Sequence, residues 1–175
     1  MESGLVVVAG EAEEHLRGVR SRFDPYAGIG VPPHVTVLYP FYDPLELNDE
    51  IAERITQALQ GTDAFEFRLS EVSAFEGAAV YLVPTPAEPF VALTEKLWNA
   101  FPDRPPFAGE YDTVIPHLTV GWVDDGATVD GIAAVVGGDL PIPCSAKEVT
   151  LLVERQDGWV ADRRFPLEDG GQRRD

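Results

Sequence analysis

Pro33-His34-Val35-Thr36-Val37 and Pro116-His117-Leu118-Thr119-Val120 are near copies of one another, with their histidines 83 positions apart, and they hold two of the three histidines in this chain. In an extended strand successive side chains alternate between faces, so each copy turns its His and the Thr two residues later to one side and its aliphatic residues to the other. Each copy therefore offers one imidazole and one hydroxyl to a common surface. A single His-x-Thr is commonplace. Two copies that also share the preceding proline, the aliphatic spacer, the following valine and an aromatic five positions after the histidine (Tyr39, Trp122) are not. Histidine titrates near neutral pH without help, so a duplicated His-x-Thr strand is a candidate acid and base pair.

Working outward, short β-rich runs alternate with amphipathic stretches. Leu5–Val8 reads as a strand, and Ala12, Leu16, Val19 and Phe23 form the apolar stripe of a helix over 11–23. The Gly28-x-Gly30 loop follows a helix and precedes a strand, the reverse of the dinucleotide-binding order. Asn48 caps a second helix through Leu59, with Gly61 past its end. Phe65, Phe67 and Leu69 alternate with charged residues as a strand, and after Gly77 the run Val80–Val83 returns beside it. Pro89 opens a third helix whose buried stripe is Phe90, Leu93, Leu97 and Phe101. A loop from Pro102 to Pro116 leads into the second motif. A short helix near Thr128–Val136 and strands near 142–145, 148–154 and 159–167 follow, the last two joined by the hairpin signal Asp157-Gly158. This order implies an α+β, bilobal, pseudo-two-fold duplicated fold: two mainly antiparallel sheets with flanking helices and a central cleft. Residues 1–167 form a single domain in this reading, and 168–175 a polar, frayed tail.

Composition narrows the function classes. Thirty acidic residues against thirteen basic ones give a net charge of −17, spread over every third of the chain, with no basic run beyond Arg163-Arg164 and Arg173-Arg174. Long nucleic acid is a poor partner, because polynucleotide binding draws much of its affinity from basic groups that displace phosphate counterions. A small phosphorylated molecule held by local donors is compatible with that charge. The one cysteine, Cys144, reads as a small buried hydrophobe, and a reducing cytoplasm is the simplest location. Leu5–Val8 is too short for a signal peptide or membrane span. No cofactor is called for, and no His-Glu-x-x-His or paired-cysteine metal motif occurs. A monomer is the simplest assembly.

The two motifs resemble those of the two-histidine phosphoesterase superfamily, the group that includes 2′-5′ RNA ligase-like proteins and cyclic nucleotide phosphodiesterases and is marked by a pair of His-x-Thr/Ser motifs. Val80-Tyr81-Leu82-Val83-Pro84 with Glu88-Pro89-Phe90 resembles the segment these proteins carry between motifs. Leu151–Arg155, Gly158-Trp159 and Phe165-Pro166-Leu167 resemble their closing hairpin. The resemblance implies metal-independent chemistry on a phosphodiester, with His34 and His117 as general base and general acid in an order left open. It gives Thr36 and Thr119 the non-bridging phosphoryl oxygens. The implied substrate is a small 2′,3′-cyclic phosphate, a 2′-5′-linked nucleotide or a short RNA end.

Strand alternation adds Leu38 and Gly121 to the catalytic face, with Gly121 leaving room for substrate, and turns Tyr39 and Trp122 away as core aromatics packed against helices. Tyr81, Phe107 and Tyr111 are candidate nucleoside contacts, and Arg155 is a candidate phosphate contact against its default as a solvated arginine. The negative field of the protein favours protonated histidine. Two competing readings keep the same cleft: a catalytically silent nucleotide- or phosphate-binding module, and a metal-dependent hydrolase using the two histidines with acidic neighbours.

Overall fold

The computed structural model describes residues 1–170 except Gly77, Asp112 and Asp125, so the Gly77 turn and the tail from residue 171 lie outside the described residues. Strands β1 (Ser3–Val8), β2 (His34–Leu38), β7 (Glu148–Arg155) and β8 (Gly158–Pro166) form one antiparallel sheet in the order β2-β1-β7-β8. Strands β3 (Phe65–Ala74), β4 (Ala79–Thr85), β5 (Leu118–Trp122) and β6 (Ile142–Ala146) form the other, in the order β5-β4-β3-β6. The motif strands β2 and β5 are the edge strands of their sheets, and they meet in the middle of the molecule with Cα atoms within 8 Å.

Four helices complete the fold: α1 (Glu13–Phe23), α2 (Asp49–Leu59), α3 (Glu88–Ala100) and α4 (Val129–Val136). Asn48 Oδ1 accepts the Ile51 N–H at the start of α2, and Thr128 Oγ1 accepts the Gly131 N–H at the start of α4, the capping bonds that satisfy first-turn donors. The segments β1-α1-β2-α2 and β4-α3-β5-α4 repeat one another. The helices are exchanged between halves. Helix α1 follows a strand of the first sheet but packs on β5 of the second, while α3 follows a strand of the second and packs on β2 of the first. One continuous apolar core results, reaching from Leu5, Val7, Val35 and Val37 through Leu16, Leu93 and Leu97 to Leu82, Leu118 and Val120. The residues of alternate parity, among them Val6, Leu152, Ala79 and Tyr81, lie outside that core on the opposite face of each sheet, which here is termed the cleft face.

Glu168, assigned to a frayed tail by its polarity, is instead tied down. Its backbone pairs with Thr62 and Ala64, and its carboxylate accepts the Gly61 N–H at 2.6 Å. Among the described residues no helix is long and apolar enough to cross a membrane.

Candidate active site

Each motif strand carries a β-bulge at the same place. Leu5 opposes Leu38 while the adjacent Val6 opposes Thr36, so Val37 is an extra residue; likewise Val80 opposes Gly121 while Tyr81 opposes Thr119, leaving Val120 extra. An extra residue resets the alternation, so side chains beyond it change faces. This corrects two expectations. Leu38 is fully buried in the core, and a Cβ on Gly121 would lie 2.7 Å from Phe23 Cβ and 3.2 Å from Ile132 Cδ1, so Gly121 admits helices rather than substrate. Trp122 returns to the side of Thr119, opposite Ala79, where it is 38 % exposed and its ring lies 6.1 Å from that of Tyr26. Tyr39 lies against Gly4 and donates its hydroxyl to Glu2. Neither aromatic is a core residue.

The histidines and threonines stand together as the alternation within each motif requires. His34 opposes Val8 and Thr36 opposes Val6 on the cleft face of the first sheet; Thr119 opposes Tyr81 on that of the second, with His117 immediately before β5. The two imidazoles are anchored identically. His34 Nδ1 lies 2.8 Å from the Pro32 carbonyl, and His117 Nδ1 lies 2.7 Å from the Ile115 carbonyl. A carbonyl can only accept, so each Nδ1 carries the proton and donates it, and each neutral ring keeps its lone pair on Nε2. Among the described residues neither the Thr36 nor the Thr119 hydroxyl has a hydrogen-bond partner.

Burial, not the net charge, governs the imidazoles. It pushes His34 down to about 4; the Pro32 carbonyl opposes the shift, and the nearby charges of Arg20 and His117 reinforce it while Asp24 opposes it. His117 is also lowered, again by burial, with the Ile115 carbonyl opposing. The expectation of protonated histidines in a negative field is therefore overturned. The dehydrated surroundings of the rings outweigh distant surface charge.

Several neighbours escape the sequence reading. Behind His34, the buried Arg20 donates from Nε and a terminal nitrogen to Asp24 Oδ2 at 3.0 and 2.8 Å, and to the Val31 carbonyl at 2.9 Å, so the pair braces the loop that delivers the histidine. An i,i+4 Arg and Asp at a helix end is visible in sequence, but its burial is not. Around His117, Phe75 packs edge-on at 4.9 Å between ring centroids, Tyr81 lies at 5.4 Å, and Phe107 stacks at 6.5 Å with planes 23° apart. Phe107 has φ of 50°, and its N–H donates to the Tyr39 carbonyl at 2.6 Å, so a backbone conformation unusual outside glycine is held at the site. Tyr111 stands outside it, exposed, 5.8 Å from Phe107. Arg155 is not brought to the imidazoles: it pairs with Asp162 at 3.0 Å near the hairpin end of β7, and β1 separates β7 from β2. Cys144 is buried, its thiol pushed up to about 12 by burial.

Among solved structures the chain matches a protein of Thermus thermophilus with a TM-score of 0.63 at 18 % identity, covering 97 % of this chain and all of that one. It matches Escherichia coli LigT, solved with 3′-AMP, with a TM-score of 0.63 at 17 % identity, covering 96 % and 98 %. These likenesses define the class as that of the LigT-like two-lobed fold. The model of the 2′-5′ RNA ligase superfamily matches residues 8–158, and the chain belongs to that family. Its relatives include proteins of Bacillus cereus strain AH820 (24 % identical, covering 97 % of this chain and 99 % of that protein) and Bacillus mycoides strain KBAB4 (26 %, covering 95 % and 97 %), both named provisionally as phosphoesterases.

Proposed function

We propose that the chain is a metal-independent phosphodiesterase that opens a small 2′,3′-cyclic phosphate or cleaves a related 2′-linked nucleotide or RNA end by paired-histidine acid and base catalysis. The observation that carries this reading is the identical anchoring of both imidazoles, Nδ1–H on a carbonyl two residues back, beside edge strands that lie next to each other and set Thr36 and Thr119 on the non-core faces of their sheets. The Nε2 lone pair of one ring takes the proton of the attacking water as its oxygen bonds to phosphorus. The other ring, protonated, gives its Nε2 proton to the ribose oxygen as the P–O bond breaks. Thr36 and Thr119 donate to the non-bridging oxygens, where charge gathers. His34 is the base in this scheme, because its burial and the Arg20 charge beside it keep it neutral, and His117 is the acid.

The test is turnover of a panel of 2′,3′-cyclic mononucleotides and short RNAs with cyclic-phosphate ends, in EDTA. Wild type turns over at least one substrate, and His34→Ala and His117→Ala each lower kcat/KM by roughly 10²-fold or more, the scale of a lost general acid or base. Activity abolished by the chelator and restored by a divalent metal overturns the scheme in favour of a metal-dependent hydrolase. Nucleotide binding without turnover of any substrate overturns it in favour of a binding module.

A further inference from the structure

A second chemical group stands on the cleft face of the first sheet, in register with the motif threonine. Val6 opposes Thr36 on one side and Thr150 on the other, and Thr150 opposes Arg164, so Thr36, Val6, Thr150 and Arg164 form one row across β2, β1, β7 and β8. Neighbouring strands lie about 4.8 Å apart, which sets Thr150 about 10 Å from Thr36. Thr150 is 1 % exposed, and its hydroxyl has no hydrogen-bond partner among the described residues. It lines a cavity of about 240 Å³, whose other walls include Val8, Leu152, Trp159, Ala161 and Arg164. Val8 stands opposite His34, so the cavity begins beside the imidazole.

A buried hydroxyl without a partner costs roughly 1–3 kcal/mol, so its presence on the floor of a cavity calls for an explanation. The cavity is below the roughly 300–1,000 Å³ of sites that enclose a drug-sized ligand, so it suits one ring system rather than a second nucleotide. Its walls combine apolar side chains, one indole and the Glu148–Arg164 ion pair, and the Thr150 hydroxyl, which can both donate and accept, is sealed beneath them. Its distance from Thr36 is the reach from a ribose phosphate to its base. Arg164, 3.4 Å from Glu148, stands at the far end of the row, away from the phosphate position.

We propose that this cavity seats the nucleobase of the substrate whose phosphate lies between the histidines, with Trp159 against the face of the base and the Thr150 hydroxyl on its polar edge. Thr150 is then a specificity-determining residue that takes no part in the chemistry. The inference rests on the phosphodiesterase reading for where the phosphate sits, but it is tested by binding alone.

The experiment compares inorganic phosphate with the four ribonucleoside 3′-monophosphates by calorimetry, on the whole chain and on Thr150→Val and Thr150→Ser. In wild type at least one nucleotide binds about tenfold or more tightly than phosphate. Thr150→Val weakens that nucleotide about 5- to 10-fold, the scale of one lost hydrogen bond, while phosphate binding stays within twofold and Thr150→Ser retains most of the affinity. Because valine has the shape of threonine and removes an unpaired hydroxyl, free Thr150→Val melts at or above the wild-type temperature, so a loss of binding is not a loss of fold. Equal nucleotide affinity in wild type and Thr150→Val overturns the subsite, as does nucleotide binding no tighter than phosphate; both leave the catalytic proposal standing. A chain that binds nucleotides through Thr150 yet turns over no phosphodiester keeps the subsite and loses the catalytic proposal.

Discussion

Val37 and Val120 occupy the same place in the two halves of the molecule: each is the extra residue of a β-bulge directly after a motif threonine. The bulge lets an edge strand show His and Thr to the cleft and then turn its next residue into the core. In the first half the bulge carbonyl is used, since Val37 O accepts the buried Thr94 hydroxyl of α3 at 2.8 Å. Replacing Thr94 with valine leaves that carbonyl without its side-chain donor and is expected to destabilise the chain by about 1–2 kcal/mol. Urea denaturation reads this directly, and an unchanged midpoint would remove the bulge carbonyl as a fixing point.

In the second half the turned residue is Gly121, and its missing side chain is what lets α1 approach. Gly121→Ala sets a Cβ 2.7 Å from Phe23 Cβ and 3.3 Å from the Phe23 carbonyl. Overpacking of this kind costs about 1–3 kcal/mol. The melting temperature should fall while KM for a cyclic phosphate stays near wild type. A large KM effect in a stable Gly121→Ala protein would return Gly121 to the substrate side.

The same bulges mark where the sequence stops being legible. The period-2 pattern places His34 with Thr36 and His117 with Thr119, and the strand and helix order defines two duplicated α+β halves, because these depend on local alternation and apolar spacing. Strict alternation misplaces Leu38, Tyr39, Gly121 and Trp122 because a bulge is one unpaired residue with no distinctive composition, seen only in the pairing of two strands. The Phe75 contact with His117 and the row from Thr36 to Thr150 join segments distant in the chain. Such contacts depend on the exchange of helices between halves and on sheet order, neither of which periodicity encodes.

Depressed imidazoles tie stability to pH. Unfolded histidine takes up its proton near 6.5, whereas folded His34 does so near 4 and folded His117 below its ordinary value. Between those limits the unfolded chain binds more protons, so stability falls as pH falls through that window. The His34 contribution is on the order of 2 kcal/mol between pH 7 and pH 5. His34→Gln should flatten the dependence of urea stability on pH across that range. An unaltered slope would mean that His34 titrates at its ordinary pKa.

The catalytic pH profile follows from the same groups with a different sign on each limb. As base, His34 must be neutral, so activity is lost as pH falls toward 4; as acid, His117 must be protonated, so activity is lost as pH rises through its own lowered pKa. The kcat/KM optimum is thus expected below pH 6.5. Opening the aromatic surround of His117 by Phe75→Ala hydrates the ring and should move the alkaline limb upward, leaving the acid limb in place. A shift of both limbs together, or of neither, would deny Phe75 a part in setting the proton affinity of His117.

The loop that delivers His34 is locked to the closing hairpin by two glycines facing one another. Gly30, with φ of 92°, is placed so that a Cβ would lie 2.6 Å from the Trp159 carbonyl, and a Cβ on Gly158, with φ of 126°, would collide with the Ile29 carbonyl. Both positions also lie in the backbone region that side chains avoid, so neither tolerates alanine without displacing the other segment. The loop between Gly30 and His34 holds Pro32, whose carbonyl orients the imidazole, so displacement reaches the base directly. Gly158→Ala is expected to lower stability by roughly 1–3 kcal/mol and to lower kcat of the remaining folded protein, measured at a temperature where it is fully folded, by about tenfold. Loss of stability with undiminished kcat would show that the hairpin supports the fold without positioning His34.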